Sequence, residues 1–156
     1  MKRAIVPGSF DPVTLGHLDI FQRAAGMFDE LYIGVFNNIR KTPFLSVQDR
    51  MELLRQAAAY LPNVRVVSFD GLLAEYMLEH DIRVVVRGIR SVTDYEYEQV
   101  QAQAIRSIHP ELDSIFLLGR PEYNFCSSSL VREIIRFKGD YSRLVPDNVA
   151  EFLKNN

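Results

Sequence analysis

The sequence has few of the residues and patterns that mark several large classes of protein. Its 156 residues contain a single cysteine, Cys126, and no tryptophan, so an intrachain disulfide framework and a zinc site built of cysteines are excluded. No stretch approaches the ~20 apolar residues that a membrane-spanning helix needs, and the N-terminal apolar run is too short for a signal-peptide core. We therefore expect a cytoplasmic protein without a membrane partner.

An excess of charge of one sign is also lacking. Eighteen basic residues stand against twenty acidic ones, which gives a formal net charge of −2. Sequence-independent binding of nucleic acid depends on a positive field, so we expect no nucleic-acid partner. Any polyanionic ligand must be bound by a local group of donors and cations.

Two phosphate-binding motifs are missing as well. The dinucleotide pattern G-x-G-x-x-G and the P-loop pattern G-x-x-x-x-G-K-[ST] do not occur, so neither a nicotinamide enzyme nor a P-loop ATPase is supported.

What is present is an alternation of short β-branched runs with helical patterns, typical of a parallel sheet wrapped by helices. We expect an α/β protein with a Rossmann-like, doubly wound sheet of five parallel strands, helices on both faces, and one domain spanning residues 1–156. The strands are predicted at residues 4–7, 31–36, 64–69, 84–87 and 114–118. The helices are predicted at residues 16–28, from 47 onward, and at 72–79, 93–108, 127–137 and 147–153.

Helix caps and faces can also be predicted. Ser46, with an acidic residue three positions later, is expected to cap the second helix, and the sequence from Thr93 to Glu96 matches a capping box for the fourth. In the first helix, Asp19 and Arg23 fall on the face expected to meet solvent.

The first predicted strand runs into a glycine-containing turn and then into a helix, through residues 7–17. A helix N-terminus presents unpaired backbone N–H groups and a positive dipole, which together attract phosphate. Gly8 and Gly16 would let a ligand approach the backbone closely, and His17 could donate a hydrogen bond to the same phosphate. An ordinary loop with a surface histidine fits this spacing equally well.

Other candidates follow later strands, where ligands of open α/β sheets bind. Arg87 and Arg90, separated by Gly-Ile, could converge on one anion because a guanidinium fork matches phosphate oxygens. Lys41 follows the second strand, although a lone loop lysine is usually just solvated. The serines at 127–129 open a helix, either as a second phosphate-binding end or as an ordinary cap with spare hydroxyls.

Taken together, these segments resemble bacterial phosphopantetheine adenylyltransferases. The resemblance covers nearly the whole chain. It rests on GSFDP at 8–12, TLGH at 14–17, RGIR at 87–90, DYEYE at 94–98 and SSSLVR at 127–132. The wider nucleotidyltransferase superfamily carries H-x-G-H, and Thr14 in place of the first histidine is usual in the phosphopantetheine branch.

The resemblance implies a role for each matching residue. His17, Lys41 and Arg90 would be catalytic, and Lys41 and Arg87 would bind the phosphate of phosphopantetheine. Cys126 is expected to pack rather than to act as a nucleophile. The remaining acceptor contacts would be Ser9 and Leu73, and ATP would be bound by Ser9, Phe10, His17, Gly88, Ile89, Arg90, Glu98, Tyr123, Asn124, Phe125, Cys126, Ser127, Ser128 and Ser129.

The implied reaction transfers the adenylyl group of ATP to 4′-phosphopantetheine, with Mg²⁺ as cofactor and no protein side chain singled out as its ligand. The resemblance further implies a homohexamer and feedback inhibition by coenzyme A. Two alternatives stay open at this stage. One is an adenylyl- or cytidylyltransferase for another phosphorylated acceptor, and the other is a nucleotide-binding sensor domain without turnover, because fold alone does not determine function.

Overall fold

In the part of the chain that the structure describes, five parallel strands form one sheet at the centre of the molecule. The computed structural model describes residues 1–38, 40 and 42–156. The strands are β1 (Arg3–Gly8), β2 (Glu30–Phe36), β3 (Val64–Phe69), β4 (Val84–Ile89) and β5 (Asp113–Leu118). They lie in the order β3-β2-β1-β4-β5, and the predicted five-stranded parallel sheet is confirmed.

Helices alternate with the strands along the chain. They are α1 (Leu15–Ala25), α2 (Val47–Ala57), α3 (Leu73–Glu79), α4 (Val92–Ile108), α5 (Ser128–Arg136) and α6 (Asp147–Asn155), with a 3₁₀ turn at Pro121–Tyr123. Within the described residues, no helix is both long and apolar enough to cross a lipid bilayer.

The sheet is covered on both faces because successive side chains of a strand point to opposite sides. In β1, Ala4 and Val6 belong to a large core that also contains residues of α1, α2, α5 and α6. Ile5, between them, belongs to a smaller core with Ala74 and Met77 of α3. This two-sided burial confirms the doubly wound α/β class.

Two details of α1 differ from prediction. The helix ends at Ala25 rather than at residue 28, because Asp29 already donates its backbone N–H to the Lys2 carbonyl and draws the chain into β2. Asp19 does not face solvent: it is only 7% exposed, and ion pairs to Arg23 and Arg120, both at 3.1 Å, compensate its charge.

Two boundaries near α4 also differ. Ser91, not Thr93, caps the helix: its hydroxyl accepts the Asp94 backbone N–H at 3.2 Å. Strand β4 continues to Ile89 instead of ending at Arg87, because pairing with β5 extends as far as Ile89 and Leu118. Gly88 therefore lies within the strand rather than after it. The Ser46 cap of α2 is confirmed by a 3.0 Å bond from the Asp49 N–H.

The order of the strands determines where a ligand can reach the sheet. The chain proceeds from β1 outward to β2 and β3, then returns to place β4 on the other side of β1. Ligands of such sheets bind at the carboxyl ends of the strands where the direction of winding reverses. Here that point lies between the ends of β1 and β4.

Candidate active site

A pocket of about 200 Å³ lies at this reversal point. We call it the inner pocket. Its walls are the ends of β1 and β4, the first turn of α1 and the loop before α5. Among its lining residues are the predicted site residues Phe10, His17, Arg87, Gly88, Ile89, Arg90, Glu98, Tyr123 and Cys126.

The imidazole of His17 has a defined orientation in this pocket. Its Nδ1 accepts the backbone N–H of Thr14 at 2.9 Å, while the Thr14 hydroxyl accepts the His17 backbone N–H at 3.3 Å. This reciprocal pair is a capping box with histidine at the third helical position. Because Nδ1 acts as an acceptor, the proton of the neutral ring must be on Nε2. Nε2–H is therefore a donor available to a ligand.

Burial, followed by the charge of Arg90, lowers the pKa of His17 to about 4. The ring is therefore neutral at physiological pH and acts as a hydrogen-bond donor rather than a cation. Since the unfolded chain binds this proton near the ordinary histidine pKa of about 6.5, stability falls as the pH drops from about 6.5 towards 4.

We predict that His17 is neutral and carries its proton on Nε2 at pH 6. Nitrogen-15 NMR of the imidazole, followed from pH 7.5 to 4, measures both the tautomer and the titration. A midpoint near 6.5, or a proton on Nδ1, would contradict the geometry.

Phe10 forms the floor next to His17. Its ring lies edge-on to the imidazole at 5.0 Å and to Phe21 at 5.3 Å, and its backbone is in the left-handed region with φ of 49°. A side chain at Gly8 would come within 2.9 Å of the Phe10 ring. The absence of a Cβ at Gly8 therefore makes room for Phe10 to support the imidazole.

The two arginines of the pocket already have carboxylate partners. Arg87 is ion-paired with Glu98, and Arg90 lies 3.4 Å from Asp94. The Arg87 side chain is only 9% exposed, and its Nε–H is shielded from solvent without a hydrogen-bond partner among the described residues. An unsatisfied buried donor costs free energy. Arg87 also lines the pocket, so the accessible part of its guanidinium can meet a ligand anion.

A second depression, of about 550 Å³, adjoins the inner pocket. We call it the outer cleft. It contains Ser9, Leu73 and Arg87 of the predicted acceptor site. The rest of its lining is largely apolar and includes Phe36, Phe69, Leu72, Ala74, Ala104 and Ile105. Pro7, Gly8, Arg87 and Glu98 line both depressions, so they form a common wall.

With this geometry established, the chain can be compared with known proteins. A model of cytidylyltransferase-like proteins matches residues 5–134. A curated relative from Dictyoglomus turgidum, named phosphopantetheine adenylyltransferase, is 46% identical over 98% of this chain and 96% of its own. A relative of the same name from Shouchella clausii is 46% identical over 99% of this chain and 97% of its own. Another from Caldanaerobacter subterraneus subsp. tengcongensis is 47% identical over 98% of this chain and 96% of its own. The chain belongs to the phosphopantetheine adenylyltransferase family.

A solved structure supports the fold of this family member. A protein from Vibrio parahaemolyticus, described as a nicotinate-nucleotide adenylyltransferase, matches with a TM-score of 0.73 over 99% of this chain and 93% of its own. Since the two sequences are 19% identical, the likeness concerns the fold alone.

Several residues of the family motifs do not line the inner pocket. Ser127 caps α5 by accepting the Leu130 N–H at 3.1 Å, and the Ser128 hydroxyl donates to the Pro12 carbonyl at 2.7 Å. Asn124, Phe125 and Ser129 also lie outside its lining. Lys41 lies outside the described residues. The ATP-binding roles of these serines and of Asn124 and Phe125 remain predictions.

The α1 N-terminus of this family member offers fewer free N–H groups than predicted. The Leu15 N–H donates to the Leu144 carbonyl at 2.9 Å, and the His17 N–H is bound by Thr14. The Gly16 N–H is directed at the Cys126 thiol. Anion binding at this end therefore depends mainly on the His17 side chain.

Cys126 has a packing position. It is buried, and burial raises the pKa of its thiol despite the opposing effects of the Gly16 N–H and Arg90. A Cβ on Gly16 would approach the Cys126 carbonyl to 3.2 Å, so glycine permits close packing of α1 on this loop.

Two buried polar residues without a predicted role, Asp11 and Arg50, hold the loop between β1 and α1. Arg50 is 3% exposed and its guanidinium donates to the Ser9 carbonyl at 2.8 Å. A charged residue inside the otherwise apolar face of α2 was the signal that could have indicated a buried contact.

Proposed function

We propose that the protein transfers the adenylyl group of ATP to 4′-phosphopantetheine, giving dephospho-coenzyme A and pyrophosphate. The observation that carries this proposal is the pair of adjoining depressions with a common wall at Arg87 and Glu98. The inner pocket has polar donors suited to a nucleotide phosphate, and the outer cleft has an apolar lining suited to a pantetheine arm. The names of the relatives agree with this division.

On the nucleotide side, His17 would donate from Nε2 to an oxygen of the transferring phosphate, and Arg90 would stabilise its negative charge. Tyr123, Cys126 and the residues from Gly88 to Arg90 at the end of β4 would hold the remainder of ATP. The position of these residues around one pocket supports the assignment.

On the acceptor side, Arg87, which lies on the common wall, would bind the phosphate of phosphopantetheine, assisted by Lys41 and Ser9. Leu73 and its apolar neighbours would cover the pantetheine arm. Arg87 is placed on the common wall, which would bring the acceptor phosphate against the nucleotide.

The chemistry requires no general base from the protein. A phosphate monoester, with a second pKa near ~6, is largely a dianion at neutral pH. One of its oxygens would attack the α-phosphorus of ATP in line, and the bond to the bridging oxygen would break as pyrophosphate leaves with that electron pair. Positioning and charge stabilisation are then the protein's contributions.

Mg²⁺ is part of this proposal. Within residues 1–38, 40 and 42–156, no group of three or more His, Cys, Asp or Glu side chains is arranged to hold a metal ion. Mg²⁺ commonly keeps several waters and binds through substrate phosphates, so the ion of this proposal would be bound chiefly through ATP. When bound, it would neutralise charge on the phosphates.

The reaction is tested by measuring pyrophosphate release with ATP or CTP and with 4′-phosphopantetheine or unphosphorylated pantetheine. We expect turnover only with ATP and the phosphorylated acceptor. Turnover with CTP would favour a cytidylyltransferase, and tight ATP binding without pyrophosphate release from any acceptor would favour a sensor domain.

The proposal includes a homohexamer and inhibition by coenzyme A, which carries the same phosphopantetheine arm as the acceptor. Helix α4 supports assembly: none of its 17 residues is buried in the isolated chain, and Val92 and Val100 are exposed. Exposed apolar surface of this kind is typical of interfaces.

We predict that Val100→Glu reduces the mass of the assembly measured by light scattering, because it places a charge in the subunit contact proposed for α4. Met27→Glu, at another exposed apolar residue, is the control and should leave the hexamer intact. A monomeric parent protein would contradict the assembly.

A further inference from the structure

Helix α1 holds the start of the loop at residues 119–126, which we call the β5–α5 loop. The guanidinium of Arg23 donates to the carbonyl of Leu118, the last residue of β5, at 2.7 Å. Arg120 pairs with the Asp19 carboxylate at 3.1 Å. These two contacts lie on either side of Gly119, which lines the inner pocket. The start of the loop is therefore fixed to α1.

Asp19 is at the centre of this arrangement. One of its carboxylate oxygens accepts a hydrogen bond from Arg23, and the other faces Arg120. The Asp19 side chain is only 5% exposed, whereas that of Arg120 is 57% exposed. Because the carboxylate is shielded from solvent, its ion pair is screened less than a pair between two exposed side chains.

Helix α1 also holds the end of the same loop. The hydroxyl of Thr14, the N-cap of α1, donates to the Cys126 carbonyl at 3.3 Å, and the Thr14 N–H fixes the imidazole of His17. One helix therefore carries His17 and anchors both ends of a loop that lines the same pocket.

A shift at the start of the loop would reach predicted nucleotide contacts. A Cβ on Gly119 would lie 3.2 Å from the side-chain oxygen of Asn124 and 3.6 Å from Cγ of Arg90. Gly119 is therefore packed closely against two residues that are expected to bind ATP.

We propose that Asp19 is a positioning residue for nucleotide binding, because through Arg23 and Arg120 it fixes the β5–α5 loop before ATP arrives. A loop that is already ordered loses less conformational freedom on binding. This inference rests on the proposed function, since it takes the inner pocket as the ATP site. Asp19 does not line that pocket and acts through the loop.

The first test is Asp19→Asn, which keeps the shape of the side chain and removes its charge. Calorimetry measures the Kd of α,β-methylene-ATP with Mg²⁺. We expect this Kd to rise about tenfold, as for a loop that occupies its binding position about a tenth of the time. The Kd of 4′-phosphopantetheine, measured without nucleotide, should stay at the parental value, because no residue of the β5–α5 loop lines the outer cleft. Equal rises in both Kd values would overturn the proposal.

Hydrogen exchange reports on the loop itself. The N–H groups of Tyr123 and Cys126 bond within the loop, each at 2.9 Å. Both amides should lose protection in Asp19→Asn, while the His17 amide, bound by Thr14, should keep it. Parental protection of the two loop amides would contradict the proposal.

Arg120→Gln breaks the same ion pair from its exposed side and should also raise the Kd of the ATP analogue. The double variant should bind no more weakly than Asp19→Asn alone, since one pair can be lost only once. Additive losses would show that the two residues act separately, against the proposal.

Glu30→Gln is the matched control. Glu30 is also a largely buried carboxylate with two arginine partners, Arg3 and Arg65, but it begins β2, at the opposite end of the strands from the pocket. Its replacement should leave the Kd of the analogue unchanged. A rise equal to that of Asp19→Asn would show that only overall stability matters.

Pyrophosphate release by the parent protein tests the proposed function separately. A parent that binds the analogue but never releases pyrophosphate from ATP would refute adenylyl transfer, and the Kd values would still decide the role of Asp19. A parent without affinity for the analogue would overturn both.

Discussion

Replacing His17 by alanine is expected to lower kcat by at least ~100-fold with ATP and 4′-phosphopantetheine. His17 lines the pocket, and its Nδ1 is fixed by the Thr14 N–H, which leaves the Nε2–H of the neutral ring as the donor for a ligand. Removing one preorganised donor to developing negative charge typically costs roughly 3–4 kcal/mol of transition-state stabilisation. Steady-state kinetics measures the change, and an alanine variant within tenfold of the parent would refute the role.

The same substitution also removes a helix cap, so stability must be separated from catalysis. We expect His17→Ala to reduce the free energy of unfolding by about 1 kcal/mol, because the Thr14 N–H loses its partner. Glutamine at this helical position can accept that N–H in an ordinary capping box. His17→Gln should therefore unfold at the parental temperature while its kcat stays as low as that of the alanine variant.

Replacing Arg87 by glutamine is expected to reduce kcat/KM for 4′-phosphopantetheine by about 100-fold. A guanidinium bond to a charged phosphate contributes about 1.5–3 kcal/mol, and Arg87 lies on the wall common to the inner pocket and the outer cleft. Calorimetry with the acceptor alone should show the loss of affinity. Unchanged affinity would contradict a role in acceptor binding.

Glu98 provides the control for this prediction. Arg87→Gln alone leaves the Glu98 carboxylate, whose side chain is 28% exposed, without its ion-pair partner. Removing one member of such a pair costs more than removing both. The double variant Arg87→Gln/Glu98→Gln should recover stability but not acceptor affinity, and recovery of both would show that Arg87 acts only structurally.

The fold was largely predictable from sequence, because its elements are set by local patterns. The strands are short runs of β-branched and other apolar residues, and five of them in alternation with helices permit few arrangements other than a doubly wound sheet. Element boundaries were less predictable. Ser91 and Thr93 both match helix caps, and only the packed structure shows that Ser91 is used.

The candidate site was predictable in its location but not in its electrostatics. The reversal between β1 and β4 brings His17 and Arg90 to one pocket, as the sequence indicated. The neutrality of His17 and the Arg87–Glu98 pair depend on burial and on contacts between segments distant along the chain. No local pattern encodes these. The prediction that Asp19 faces solvent was wrong for the same reason, since its ion-pair partner Arg120 comes from the segment that follows β5, distant along the chain.

The wall that the inner pocket and the outer cleft have in common also bears on inhibition. A single molecule that occupies both depressions would cross the common wall of Pro7, Gly8, Arg87 and Glu98, so a short tether between its two halves would suffice. Binding of the first half would raise the local concentration of the second, and linked ligands of this kind can exceed the affinity of either half by about 10²–10⁴. The adjacency that favours transfer between substrates thus makes the protein vulnerable to a bivalent inhibitor.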